Sequence, residues 1–340
     1  MICPNCEQSL LRKERTGNVC GKCRRRYAMD PKTNPMKLND LRIRRVMAKL
    51  TDQGQVPCTP GQLWYALSRK SLREGKSHLG RAGIALIIGL VLGSIGIIGD
   101  PSLAVIGGVL LLIALGIVIA SALGWGRGKP RMNRNAFRSG VINQWRSVYG
   151  SLPPGMVEDD RYPTPGYGGV AKADGSGAVL LCPDLSIANF LAADGLPGRY
   201  GLTLEADLRD VRGHGPVIVL HDADPHGLLL VRRVRQAMPG RQVIDAGLPL
   251  RTVRKLKSAV PYRAGRPDKD VIAELTATGQ YTADELKWLA KGWAFPLVGV
   301  PPARLRAAVT RVAEQVATAT DPQRRRAASV GFLTWPGEQR

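Results

Sequence analysis

The sequence predicts a multi-domain chain of three parts: a small metal-bound module at the N-terminus, an α-helical transmembrane hairpin, and a C-terminal α/β domain with a mostly parallel sheet. Three observations carry this. Four cysteines fall in two close pairs near the start, two uncharged apolar runs lie back to back between Gly80 and Trp125, and short apolar runs alternate with helical patterns from residue 178 onward.

The cysteine pairs are Cys3-Pro-Asn-Cys6 and Cys20-Gly-Lys-Cys23, with 13 residues between them. A knuckle turn lets two thiolates of such a pair face one ion, and two knuckles complete a tetrahedral set that suits zinc. Two disulfides are the alternative, which a reducing cytoplasm disfavours. Residues 1–30 resemble a zinc ribbon. That resemblance implies a structural ion, because four protein ligands leave no open position for catalysis, and it implies that metal binding largely folds the module. Arg12, Lys13, Arg15, Arg24, Arg25 and Arg26 offer a docking surface for a protein, a lipid or a nucleic acid. Cys58 and Cys182 have no partner in spacing and read as small buried apolar residues.

Residues 31–79 form a basic helical segment. Two helices are expected there, over 36–53 with Asn39 or Asp40 as the cap and over 59–74 with Pro60 in the first turn. The pair fits a helix-turn-helix reader or a plain helical spacer. Residues 80–125 hold the two apolar runs, 82–98 and 103–124, separated by Gly99, Asp100, Pro101 and Ser102. A bilayer core needs about 20 apolar residues in a helix, so the expectation is two transmembrane helices serving as an anchor. Residues 1–79 carry 17 Lys and Arg against 6 Asp and Glu, and Arg127, Lys129, Arg131, Arg134 and Arg138 follow the hairpin. Basic flanks favour the cytoplasmic side, so a two-pass protein of the cell (inner) membrane with both termini inside is expected, and the lipid bilayer is an expected partner. The N-terminus opens on the metal motif rather than on a cleavable signal pattern. Gly89, Gly93, Gly107 and Gly108 would let the helices approach closely.

The net charge of +22 exceeds what topology asks for. A basic stretch (Arg232, Arg233, Arg235, Arg241, Arg251, Arg254, Lys255 and Lys257) suits nucleic acid as well as anionic lipid, and an arginine-rich composition alone would also produce it.

A basic helix and a Pro/Gly-rich linker fill residues 126–177. In residues 178–265, apolar strands are expected over 178–182, 199–204, 216–220 and 242–245, with helices over 186–194, 227–238 and 250–258. Continuous apolar strands alternating with helices indicate a Rossmann-like parallel sheet covered on both faces, and ligands of such sheets sit beyond the strands' carboxyl ends. Acids stand there: Asp184, Glu205, Asp222 and Asp224. The segment His221-Asp222-Ala223-Asp224-Pro225-His226-Gly227 places two carboxylates that could reach one hard cation, magnesium by ligand type, or could simply cap the next helix and make turns. Residues 266–320 read as helices, and a basic tail covers 321–340.

The run Pro216–Gly227, with the preceding 179–196, resembles a Toprim domain, in the form found in the A subunit of topoisomerase VI. The resemblance implies that Asp222 and Asp224 bind Mg2+ and that Asp184 stands near the place of the family's acid/base Glu; Glu205, from the second strand, is the alternative to Asp184 for that place. It further implies phosphodiester chemistry on nucleic acid or binding of a phosphorylated ligand. The family's strand-cleaving tyrosine has only Tyr65 as a positional candidate. The competing expectation is a non-enzymatic membrane scaffold that uses the ribbon and the α/β domain as docking surfaces.

Overall fold

A computed structural model describes residues 1–74, 79–98, 101–122, 127–163 and 177–320. These fall into two compact units. One comprises Met1–Leu67, Met132–Ala259 and the described residues from Ala264 on; the other comprises Ser68–Arg131 and Val260–Arg263. The basic tail, Gly99, Asp100 and residues 164–176 of the expected linker lie outside the described residues.

In the first unit, the N-terminal module is followed by α1 (Asp40–Leu50) and the start of α2 (Pro60–Glu74). Asn39 caps α1 by accepting from the Arg42 amide. Asp40 is buried and accepts from the amides of Ala28 and Met29, both at 2.7 Å, and from the Tyr149 hydroxyl. The module is thereby tied to the helices rather than strung from them.

Helices α3 (Leu79–Ile98) and α4 (Pro101–Ala122) belong to the second unit and pack on each other. The contact depends on Gly107: a Cβ there would lie 2.5 Å from the Gly93 nitrogen. Among the described residues no helix is long and apolar enough to cross a membrane. The transmembrane hairpin and the two-pass membrane location expected from the apolar runs are corrected accordingly.

The chain re-enters the first unit through α5 (Arg134–Ala136), a π-helical turn (Phe137–Ile142) and α6 (Asn143–Tyr149). The described start of the Pro/Gly-rich stretch is bonded to the rest of the unit. Cys58 exchanges backbone hydrogen bonds with Gly155 and Val157, both at 2.9 Å, and Asp159 is fully buried.

The α/β part is built on a four-stranded parallel sheet of order β2-β1-β3-β4, from β1 (Val179–Leu181), β2 (Thr203–Glu205), β3 (Val217–Val219) and β4 (Val243–Asp245). The central strands β1 and β3 are buried at every residue, which is why they read as unbroken apolar runs. Helices α7 (Leu185–Ala193), α8 (Leu196–Tyr200) and α9 (Pro225–Ala237) intervene, and α10 (Leu250–Lys255), α11 (Lys269–Ala277), α12 (Ala283–Ala290) and α13 (Pro302–Thr320) follow. Val179, Leu181, Val217 and Val219 share one core with Val231 and Val234 of α9. A second core joins Leu229 of α9 to Leu275, Leu289 and Phe295.

Candidate metal centre and carboxylate cavity

The four sulfurs of Cys3, Cys6, Cys20 and Cys23 all lie within 4.8 Å of one another, so the group could hold a metal ion. Cys3 and Cys23 sulfurs are 3.8 Å apart, and Cys6 and Cys20 sulfurs 3.9 Å. The two pairs are built alike. The Cys3 carbonyl accepts from the Glu7 amide and the Cys20 carbonyl from the Arg24 amide; Glu7 and Arg24 both take left-handed backbone angles (φ 57° and 60°). Amides of Asn5 and Cys23 point at the sulfurs of Cys3 and Cys20. The Cys23 amide lowers the Cys20 thiol to about 7, whereas burial pushes Cys3 up to about 12. Four sulfurs at this spacing would, as thiolates, carry negative charge that a cation would balance.

The second feature is a cavity of about 350 Å3 at the carboxyl edge of the sheet, lined by Asp184, His221, Asp222, Asp224, His226 and Arg233, among others. Parallel register puts the last residues of β1, β2, β3 and β4 level with one another, so acids just beyond β1 and β3 arrive at one place. Asp184 caps α7 through the Ile187 amide at 3.0 Å, and Asp224 caps α9 through the Gly227 amide at 2.7 Å. Asp222 Oδ1 accepts from the Leu297 amide at 2.7 Å. Burial pushes the Asp222 carboxyl up to about 7, and the charges of Asp184 and Asp224 add to the effect. Gly227 is needed where it stands: a Cβ there would lie 2.3 Å from the Asp222 carbonyl oxygen.

Arginine and histidine complete the surroundings. Arg134 grips Asp184 with both ends of its guanidinium, Nη1 to Oδ2 at 3.0 Å and Nη2 to Oδ1 at 3.2 Å, and its Nη2 lies 3.9 Å from Asp159 Oδ2. Asp159 also accepts from the Gly61 amide, Arg138 and the Ser186 hydroxyl. His221 Nδ1 faces the Asp222 carbonyl at 2.7 Å, and its Nε2 faces Asp245 Oδ1 at 3.0 Å. Burial opposes charge on that ring, yet the acceptors on both nitrogens raise its pKa.

Asp184, Asp222 and Asp224 are thus brought to one cavity, and Glu205 is not among its lining residues. Glu205 ends β2, where burial and Asp210 raise its carboxyl. The three-acid magnesium set that the Toprim resemblance implies is not assembled: among the described residues only the four cysteines bring three or more ligand atoms within 4.8 Å. Asp222 and Asp224 line the cavity with one oxygen each bonded to a backbone amide, and both oxygens of Asp184 are bonded to Arg134. Several residues of the basic stretch are engaged internally as well, Arg233 with Glu274, Arg251 with Glu285 and Arg254 with Asp284.

The roles of Arg134 and Asp159 escape a reading of the sequence, since Asp184 lies 50 residues from Arg134 and Gly61 lies 98 residues from Asp159. No family model, curated protein or solved structure matches this chain.

Proposed function

We propose that the α/β part is a Toprim-like domain whose cavity binds a phosphorylated ligand, nucleic acid included, together with one divalent cation, Mg2+ by ligand type. The observation that carries this reading is Asp222, a carboxylate beyond the end of a central strand, lining a cavity beside a second carboxylate, Asp224. A buried carboxylate without a cation or proton is costly, and hard oxygen ligands with room for water match magnesium. When bound, such an ion neutralises charge on phosphoryl oxygens. Arg233 and His226, which share the cavity lining, would contact the phosphate, and Leu297 would hold the Asp222 carboxylate in place through its amide.

The four-cysteine group takes zinc in this reading. Metal–sulfur bonds of about 2.3 Å in a tetrahedron require sulfurs about 3.8 Å apart, close to the 3.8 and 3.9 Å separations of two of its edges. The ion would be structural.

A docking scaffold without chemistry is the second reading, favoured by the capping bonds of Asp184 and Asp224. Calorimetric titration of the full chain with Mg2+, beside Asp222→Asn and Asp224→Asn, separates the two. One binding event, weakened about tenfold or more in each variant, is the expected outcome. Absence of binding by the unaltered chain would leave the scaffold.

A further inference from the structure

Charge in the first 50 residues is sorted by burial. Thirteen Lys and Arg fall there, and all but Arg15 are exposed. The acids are Glu7, Glu14, Asp30 and Asp40, and of these only Glu7 is exposed. Glu14 accepts from the Leu11 amide at 2.7 Å, Asp30 from Arg15 and the Lys32 amide, and Asp40 from the amides of Ala28 and Met29. Three carboxylates thus serve the fold, and Arg15–Asp30 is the only ion pair within the stretch.

Backbone contacts gather many of the cations at the cysteine pairs. The Gly21 amide donates to the Glu14 carbonyl at 2.7 Å, and a Cβ on Gly21 would lie 2.9 Å from the same oxygen. The turn that carries Arg12 and Lys13 therefore lies against the second pair, next to Lys22. The Arg24 amide donates to the Cys20 carbonyl, and the Asn5 side chain donates to the Arg26 carbonyl at 3.1 Å, which ties the run Arg24–Arg26 to both pairs. On α1, Arg42, Arg45 and Lys49 recur at spacings of three and four, one stripe of the helix, opposite the buried Ile43 and Met47. Like charges at that spacing destabilise a helix, so stability does not account for the stripe. Arg44, by contrast, donates to the Pro4 carbonyl and lies over the rings of Trp145 and Tyr149.

We infer that this cationic surface, the loops around the cysteine pairs together with the α1 stripe, binds the phosphate backbone of nucleic acid without reading its sequence, and does so independently of the cavity in the α/β part. An anionic bilayer would also meet the cations. Binding to a bilayer, however, grows with the apolar area it takes up, and Ile2 and Leu11 are the only large apolar side chains exposed in the stretch. Arginine supplies seven of the twelve exposed cations, and its planar fork suits phosphate oxygens. A zinc ion on four thiolates would leave about two negative charges, which the cations outnumber. Duplex DNA presents one charge per about 1.7 Å of its axis, a density that gives several of these side chains a partner at once.

The test titrates a short fluorescent DNA duplex of random sequence with the full chain, without added Mg2+, and follows anisotropy between about 50 and 200 mM salt. One variant combines Arg24→Asn, Arg25→Gln and Arg26→Gln; asparagine suits the left-handed backbone at residue 24. It should bind about tenfold or more weakly at about 100 mM salt, with a salt slope flatter by about 2–3. A second variant, combining Arg42→Gln, Arg45→Gln and Lys49→Gln, should weaken binding in the same direction. Equal charge removed elsewhere, by Lys287→Gln, Arg304→Gln and Arg311→Gln together, should change affinity by less than about threefold, and so should Asp222→Asn. Should the first variant fail to fold by circular dichroism, the second decides alone. Unaltered binding in the folded variants, or an equal loss in the charge-matched control, overturns the inference. A loss in Asp222→Asn that matches the arginine variant would return the binding to the cavity and overturn it as well. Phosphatidylserine vesicles that hold the chain as tightly as the duplex does, and release it with the same arginine changes, would give the surface to lipid instead.

Discussion

Burial of Asp222 has an electrostatic cost whose sign is measurable. Its carboxyl titrates near 3.8 when exposed and near 7 in the fold, through burial first and the charges of Asp184 and Asp224 after it. Between those values the folded chain keeps a proton that the unfolded chain has released. This contribution to stability is therefore present below about pH 4 and is lost as pH rises towards about 7. Asp222→Asn removes the titration and keeps an oxygen for the Leu297 amide. Thermal unfolding at about pH 4 and about pH 8 should show the variant gaining on the unaltered protein, by on the order of a few kcal/mol across that range. A difference that stays constant with pH would contradict the burial argument. Gly227 offers a steric counterpart. A methyl group 2.3 Å from the Asp222 carbonyl oxygen forces backbone to move, so Gly227→Ala should cost about 1–3 kcal/mol and disturb ligand binding at the same time.

The central strands of the α/β part were legible because their burial is continuous, whereas the strand expected over 199–204 is the helix α8 (Leu196–Tyr200) followed by the half-buried β2 (Thr203–Glu205). The apolar runs around residues 180 and 218 became β1 and β3, and of the two caps expected for α1, Asn39 is the one that accepts from the helix. Asn39→Ala should accordingly lower stability by about 1 kcal/mol in denaturant unfolding. Long-range pairings were not legible. Arg134 meets Asp184 across 50 residues, and before folding it is one basic residue among several that flank an apolar run. Asp159 lies in a stretch whose prolines and glycines signal a linker, although its carboxylate becomes a buried hub. The cysteine knuckles were legible from spacing alone, since a two-residue gap leaves few ways to place both sulfurs. Metal removal tests them. A chelator strong enough to strip zinc should lower the unfolding temperature of the full chain and release one ion per molecule. Cys20→Ser should arrive without it; full metal content in that variant would contradict the four-thiolate set.

The net charge of +22 would attract any polyanion, so the salt dependence of binding is a better test than binding itself. Each phosphate contact lowers the logarithm of the binding constant by about 0.9 per logarithmic unit of salt for duplex DNA. If nucleic acid occupies the cavity, fluorescence anisotropy between about 50 and 200 mM salt should give a steep slope, and Mg2+ should add a component that Asp222→Asn lacks. A steep slope indifferent to Mg2+ and to Asp222 would assign the binding to basic surface elsewhere. The path of the chain through the first unit has a separate consequence. That unit is left after Leu67 and rejoined at Met132, and the Trp64 indole nitrogen donates to the Met132 carbonyl at 2.8 Å. Departure and return thus lie side by side, the arrangement of a host domain interrupted by a guest segment. The second unit also takes in Val260–Arg263, and the expectation is that the host folds without the segment between Leu67 and Met132. A chain in which residues 69–130 are replaced by a short Gly/Ser loop should still load its cysteine metal and bind Mn2+ at Asp222, so the interruption is a cassette that the ligand-binding fold can carry, exchange or lose.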